Sequence, residues 1–182
     1  MILITGGARS GKSRLAEQLA ARCGERVLYI ATSVVTDPEM AERIALHRSS
    51  RPAHWSTHEG FAGLGEVVRR DGPLHDAIML ECITTLITNL MFAHAGDTLP
   101  EQMDFAAIEA HIGQEVDALI AAASECTAPL YLVTNEVGFG IVPDNLLARR
   151  FRDIAGRINQ RLAAASSEVW LVISGVEMKI KG

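Results

Sequence analysis

The sequence predicts an α/β protein of three layers, with a mainly parallel central sheet flanked by helices. Short runs rich in Val, Ile and Leu alternate with longer stretches of helical period, which is the order a parallel sheet covered by crossover helices requires. Each apolar run is closed by Gly, Pro, Asp or another polar residue, so the runs have the length of strands. The chain of 182 residues is 48% hydrophobic and 21% charged, enough to build one core without disulfide or metal staples, and it reads as one domain over 1–182.

The first strand is expected at Ile2 to Thr5, running straight into Gly6-Gly7, and Lys12 to Arg22 follows with helical period. Arg26 to Ala31 is the second strand. Pro38 to Arg48 reads as a helix with Asp37 as its N-cap before the proline, and the stretch from Arg48 to Glu59 as a polar loop broken by Arg51-Pro52. Phe61 to Arg70 is a helix, Ala77 to Glu81 a strand and Thr84 to Ala93 a helix. The apolar stretch from Ala77 to Ala95 is interrupted by Glu81, by threonines and Asn89, and by His94. It is therefore read as a buried strand entering a buried helix, with no membrane insertion. A surface connection from Ala95 to Met103, with Gly96, Asp97 and Pro100, leads to a helix over Phe105 to Ser124. Leu130 to Asn135, Asp144 to Ala165 and Glu168 to Ser174 complete the pattern as strand, helix and strand, giving five parallel strands. The tail from Met178 to Gly182 offers a short last strand against Trp170 to Ser174, with Lys179 and Lys181 suited to an exposed edge.

Acidic residues outnumber basic ones, 22 to 17, and there is no Lys/Arg block, so affinity for a nucleic-acid backbone has no electrostatic basis. A small anionic ligand needs only a local site. Cys23, Cys82 and Cys126 are odd in number and form no CxxC, which argues for a reducing compartment and against structural zinc. Each is expected as a small core residue. The N-terminus has no basic segment and too short an apolar run for a signal peptide, so the cytoplasm is the expected location. Of the six histidines only His54 and His58 stand four apart, and they straddle a Trp-Ser-Thr loop or strand where a metal pair on one helix face is not expected.

Gly6-Gly7-Ala8-Arg9-Ser10-Gly11-Lys12-Ser13 fits G-x-x-x-x-G-K-[ST] at every fixed position, between a strand and a helix. The fold expected is thus P-loop NTPase-like. In such a loop the backbone N–H groups fold inward around phosphate oxygens, Lys12 reaches the outer phosphates and the Ser13 hydroxyl can take Mg2+. P-loop enzymes usually pair the loop with a carboxylate ending a neighbouring strand, and Glu81 fits that place. Its side chain is longer than the usual Asp, so holding Mg2+ or its waters, contacting the nucleotide sugar and capping the next helix all stay open. Glu136 ends another strand before Gly138-Phe139-Gly140, where closing over substrate and holding a turn are both compatible with the residues. Thr134-Asn135-Glu136-Val137 lacks the Lys and Asp of the element by which many GTPases read guanine. His47 lies among Arg43, Arg48 and Arg51, where phosphates would be drawn, yet position alone leaves it an ordinary exposed histidine.

Taken together, these motifs resemble the bifunctional adenosylcobinamide kinase / adenosylcobinamide-phosphate guanylyltransferase family of bacterial cobalamin biosynthesis. The resembling segments are Ile4 to Ser13, Tyr29 to Ser33, Glu39-Met40-Ala41 through Arg43-Ile44, His47, Arg51 to Trp55, Leu80 to Thr84, Thr134 to Gly138, Gly140 to Pro143 and Phe151 to Gly156. The resemblance implies phosphorylation of adenosylcobinamide by ATP or GTP, then transfer of GMP from GTP to adenosylcobinamide phosphate with Mg2+. It makes His47 the residue that carries GMP as a phosphoramidate, and Lys12 the partner of the leaving pyrophosphate. It assigns Gly6, Gly7, Ala8, Arg9, Ser10, Gly11, Lys12 and Ser13 to the phosphates. Ala31, Thr32, Ser33 and the loop Arg48, Ser49, Ser50, Arg51 would line the nucleotide site, with Glu59 and Glu81 touching the nucleotide. It also implies a homotrimer. Some relatives carry two adjacent histidines where this chain has Leu46-His47, which removes an alternative nucleophile. From the P-loop alone, a plain small-molecule kinase that uses His47 only to bind phosphate, or a nucleotide-binding regulatory protein, would serve as well.

Overall fold

The computed structural model describes residues 1–34, 42 and 52–182. One seven-stranded sheet runs through it, built from β1 (Ile2–Gly6), β2 (Val27–Ala31), β3 (Ser56–Glu59), β4 (Ala77–Glu81), β5 (Leu130–Val133), β6 (Glu168–Ile173) and β7 (Val176–Lys181). Their order across the sheet is β3-β2-β4-β5-β1-β6-β7. All neighbours run parallel except β6 and β7, which are antiparallel. The helices are α1 (Lys12–Ala21), α2 (Leu64–Asp71), α3 (Ile83–Ala95), α4 (Phe105–Glu125) and α5 (Leu146–Ala165).

The inner strands β2, β4 and β5 are apolar on both sides because both faces are covered. Side chains alternate between faces along a strand. Leu28, Ile30, Ile78, Leu80, Leu130 and Leu132 therefore join the large core with residues of α2 to α5. Their neighbours Val27, Tyr29, Ala31, Ala77, Met79, Tyr131 and Val133 pack with Leu15, Ala16 and Ala20 of α1. The stretch read as a strand entering a buried helix is β4 followed by α3. Among the described residues, no helix is long and apolar enough to cross a membrane.

Caps set several of the helix ends. Asp104 accepts hydrogen bonds from the Ala106 and Ala107 amides at the start of α4, and Asn145 accepts from Ala148 at the start of α5, each satisfying N–H groups that lack a partner inside the helix. Helix α2 starts three residues later than Phe61, after Gly63, whose amide donates to Glu115 on α4 at 2.9 Å. The tail is longer than the expected strand. Ser174 and Gly175 both have positive φ, 52° and 82°, the two-residue turn whose twist matches a hairpin. Lys179 pairs with Glu168 at 3.0 Å, and Lys181 Nζ donates to the Ala163 and Ala164 carbonyls at the end of α5.

Two expectations need correction. Ser56–Glu59 is a strand where a polar loop was expected; it pairs with β2 at the sheet edge and its side chains are mostly exposed, so backbone pairing alone defines it. Of the cysteines only Cys126 packs against the core. Cys23 is exposed and Cys82 and Cys126 are half-buried, because they sit in the turn after α1, at the β4–α3 junction and just beyond α4. The helix expected over Pro38 to Arg48, with Asp37 as its cap, falls almost wholly outside the described residues.

Candidate active site

The phosphate-loop segment leaves the C-terminal end of β1 and enters α1, the edge of a parallel sheet where ligands bind. Gly11 is the N-cap of α1 at φ 101°, and no side chain caps the helix, which leaves its N-terminal end to an anion. Ser10 and Lys12 are buried, whereas Gly7, Ala8 and Arg9 are exposed. Lys12 Nζ donates to the Gly7 carbonyl at 2.9 Å. The Ser10 hydroxyl is buried without a hydrogen-bond partner, an exception to the usual pairing of buried polar atoms. The Gly175 amide donates to Ser10 O at 2.8 Å, tying the hairpin turn to the loop.

Gly6 permits this close packing. A Cβ added there would lie 2.3 Å from the Val172 carbonyl oxygen and 2.7 Å from Ser10 Oγ. The Val172 atom is backbone and cannot rotate away, so Gly6→Ala is expected to lower unfolding free energy by about 1–3 kcal/mol. Urea melts check this against Gly7→Ala, whose added Cβ meets nothing within 4 Å and which should melt like the parent.

Glu81 ends β4, which is not the neighbour of β1: β5 lies between them. Reach across that gap comes from side chains. Ser13 Oγ on α1 donates to Glu81 Oε1 at 2.5 Å, and the Tyr29 hydroxyl on β2 donates to Oε2 at 2.7 Å. The structure thus brings together the P-loop serine and the strand-end carboxylate that the sequence separates by 68 positions. Ala31 lies opposite Glu81 in the register. Thr32 is buried beside them; its amide donates to the Glu81 carbonyl at 3.0 Å, and its hydroxyl accepts the Cys82 amide and donates to the Cys82 carbonyl, each at 2.9 Å. Ser33 is half-buried just beyond. Glu59 is exposed on the edge strand, four strand spacings or about 19 Å from β1 at ~4.8 Å each. It is not gathered with the loop. His47, Arg48, Ser49, Ser50 and Arg51 lie outside the described residues.

Several residues missing from the sequence-based site support this edge. The Asn89 amide donates to the Thr32 carbonyl at 2.6 Å, and Asn135 Nδ2 donates to Thr84 Oγ1 at 2.7 Å. Thr134 donates to Asn159 Oδ1 at 2.7 Å, and Asn159 Nδ2 donates to the Asn135 carbonyl at 3.2 Å. The available signal was a buried amide on an apolar face, as with Asn159 among Ile154, Ala155, Ile158 and Leu162, since such a group needs a polar partner. Tyr29 gave the same signal within an otherwise apolar strand. Burial, with the Cys23 thiol 3.2 Å away, pushes the Tyr131 phenol above its ordinary range, so it stays protonated. Glu136 closes the segment after β5: its amide donates to the Gly6 carbonyl at 3.1 Å, and its Oε1 accepts the Gly138 amide at 2.8 Å.

This arrangement can cradle a polyphosphate with backbone amides and Lys12, and offers hydroxyl and carboxylate oxygens to a divalent ion. Among the described residues, no three His, Cys, Asp or Glu side chains gather as metal ligands.

Comparison with known proteins gives these features a context. Residues 2–180 match the family described as CobU: cobinamide kinase / cobinamide phosphate guanyltransferase. The chain is 60% identical over 181 residues to the bifunctional adenosylcobalamin biosynthesis protein CobU of Salmonella typhimurium, covering 100% of this chain and 99% of that one. It is 55% identical to the protein of the same name from Escherichia coli K12, with the same coverage. It is 40% identical to the bifunctional adenosylcobalamin biosynthesis protein CobP of Pseudomonas aeruginosa, over 99% of this chain and 96% of that one. Among solved structures, the RadB recombinase superimposes with a TM-score of 0.47 at 15% identity, over 93% of this chain and 72% of that one. With the match running from residue 2 to residue 180 and identities of 40% to 60% along the full length, the chain belongs to the cobinamide kinase / cobinamide phosphate guanyltransferase family.

Proposed function

We propose that the protein phosphorylates the hydroxyl on the aminopropanol arm of adenosylcobinamide with ATP or GTP. It then transfers GMP from GTP to that phosphate, releasing pyrophosphate and adenosylcobinamide-GDP. The observation that carries this reading is the meeting of Lys12, Ser13 and Glu81 at one end of the sheet, in a chain whose length matches a family described by these two activities.

The loop from Gly6 to Ser13 holds the phosphates through its amides, and Lys12 turns from the Gly7 carbonyl to the phosphate oxygens, where its charge offsets that of the leaving group. The oxygens of Ser13 and Glu81 suit Mg2+, which prefers hard oxygen donors and is commonly held by one carboxylate with substrate phosphates. The ion, when bound, neutralises phosphate charge. Tyr29 fixes the Glu81 carboxylate from the side away from Ser13. Ala31, Thr32 and Ser33, with Arg48, Ser49, Ser50 and Arg51, line the nucleotide, and Glu59 can touch only a part of it distant from the phosphates. His47 carries the guanylyl group: its neutral imidazole attacks the α-phosphorus, and the resulting phosphoramidate passes GMP to the acceptor phosphate. A homotrimer and a cytoplasmic setting belong to the same reading.

The test is intact mass after incubation with GTP and Mg2+. A GMP-sized, acid-labile increment is expected, and it should vanish in His47→Ala. Folded protein that binds GTP without acquiring the increment would leave a plain kinase.

A further inference from the structure

We infer that Glu136 is the general base of the kinase step, taking the proton of the acceptor hydroxyl as its oxygen attacks the γ-phosphorus. This assignment rests on the two-reaction reading above.

Strand β5 lies between β1, which feeds the phosphate loop, and β4, which ends in Glu81. The segment just past the end of β5 therefore lies at the same end of the sheet as the phosphate loop and Glu81. The backbone keeps Glu136 there, since its amide is bonded to the carbonyl of Gly6, the first residue of the loop. The carboxylate is half-buried. One of its oxygens accepts the Gly138 amide at 2.8 Å, and the other has no hydrogen-bond partner among the described residues. Gly138 leaves the space this needs, because a Cβ there would lie 2.8 Å from Glu136 Oε1.

The other carboxylates at this edge are less suited. Both oxygens of Glu81 are taken by Ser13 and Tyr29, and Glu59 lies at the far edge of the sheet. The segment beyond Glu136 carries Phe139 and Ile141, 83% and 96% exposed, apolar surface on which a macrocyclic acceptor can rest while its arm reaches inward.

The chemistry separates the two reactions. In the first, the acceptor is a neutral hydroxyl: its O–H proton passes to the free Glu136 oxygen, the new O–P bond forms, and the bond from the γ-phosphorus to the β,γ-bridging oxygen breaks, releasing the nucleoside diphosphate. In the second, the acceptor is already a phosphate anion and has no hydroxyl proton to lose. A base at Glu136 serves only the first.

The experiment compares Glu136→Gln and Glu136→Ala with the parent in two assays: ATP-dependent phosphorylation of cobinamide, and GMP transfer from preformed GMP-enzyme to cobinamide phosphate. Glu136→Gln keeps an oxygen for the Gly138 amide and removes the base. It should lower kcat of the kinase by about 100-fold while GMP transfer changes by less than about threefold. Kinase activity retained in Glu136→Gln, with losses confined to Glu136→Ala, would make the residue a turn acceptor and overturn the assignment. Equal losses in both reactions would overturn it as well. A parent enzyme that phosphorylates no cobinamide would overturn the two-reaction reading first, and the assignment with it.

Discussion

Lys12→Ala is expected to abolish cobinamide phosphorylation and formation of the GMP adduct together, each by at least ~10²–10³-fold, while the protein stays folded. Both reactions break a bond to phosphorus and leave charge on a departing phosphate or pyrophosphate, and a buried ammonium at the mouth of the loop stabilises that charge in either case. Lys12 is 6% exposed, and its Nζ bonds the Gly7 carbonyl at 2.9 Å. Because Gly7 is exposed, its carbonyl can pass to water when the ammonium is removed, and loss of the buried stem should cost about 1–3 kcal/mol, which leaves the protein folded. Lys12→Arg should be nearly as inactive, since a planar guanidinium fork does not occupy the space of a compact ammonium. Kinase turnover, intact mass after GTP and a thermal melt check this. Loss of one activity alone would mean the two reactions do not share the loop.

Residues that act through their near neighbours in the chain were readable in advance. The P-loop spelling, the apolar runs of β1, β2, β4, β5 and β6 and the periodic helices are local signals, and they placed the loop at the end of β1 correctly. Contacts that depend on strand order were not readable. Nothing in the local sequence shows that β5 inserts between β1 and β4, so Glu81 was expected on a neighbouring strand, and its bonds to Ser13 and Tyr29 across that gap could not be drawn. Glu59 was assigned to the nucleotide by resemblance, and its distance from the loop, set by the place of β3 at the sheet edge, had no local signal either. Strand β3 itself, Ser-Thr-His-Glu, has no apolar alternation to announce it. Cysteine is so often buried that Cys23 was assigned to the core, where its place in a turn should have counted for more.

Glu81→Gln separates the charge of that carboxylate from its hydrogen bonds. The amide is nearly isosteric: its oxygen can still accept from the Ser13 hydroxyl, now 2.5 Å away, and its NH2 can donate to the Tyr29 oxygen, now 2.7 Å away. The hydroxyl of Tyr29 then reverses from donor to acceptor, which a phenol tolerates. The sheet edge is held separately, because the Glu81 carbonyl keeps its bond from the Thr32 amide at 3.0 Å. Stability should therefore change by no more than about 1 kcal/mol, while both activities fall by ~10²-fold or more for want of the negative charge beside Ser13. Glu81→Ala removes the charge and both acceptors, so it should match Glu81→Gln in activity and be less stable by about 1–3 kcal/mol as buried polar groups lose partners. Turnover of the two reactions measured beside urea melts tests this. Activity near the parent level in Glu81→Gln would show that Glu81 braces Ser13 and Tyr29 and that its charge takes no part in catalysis.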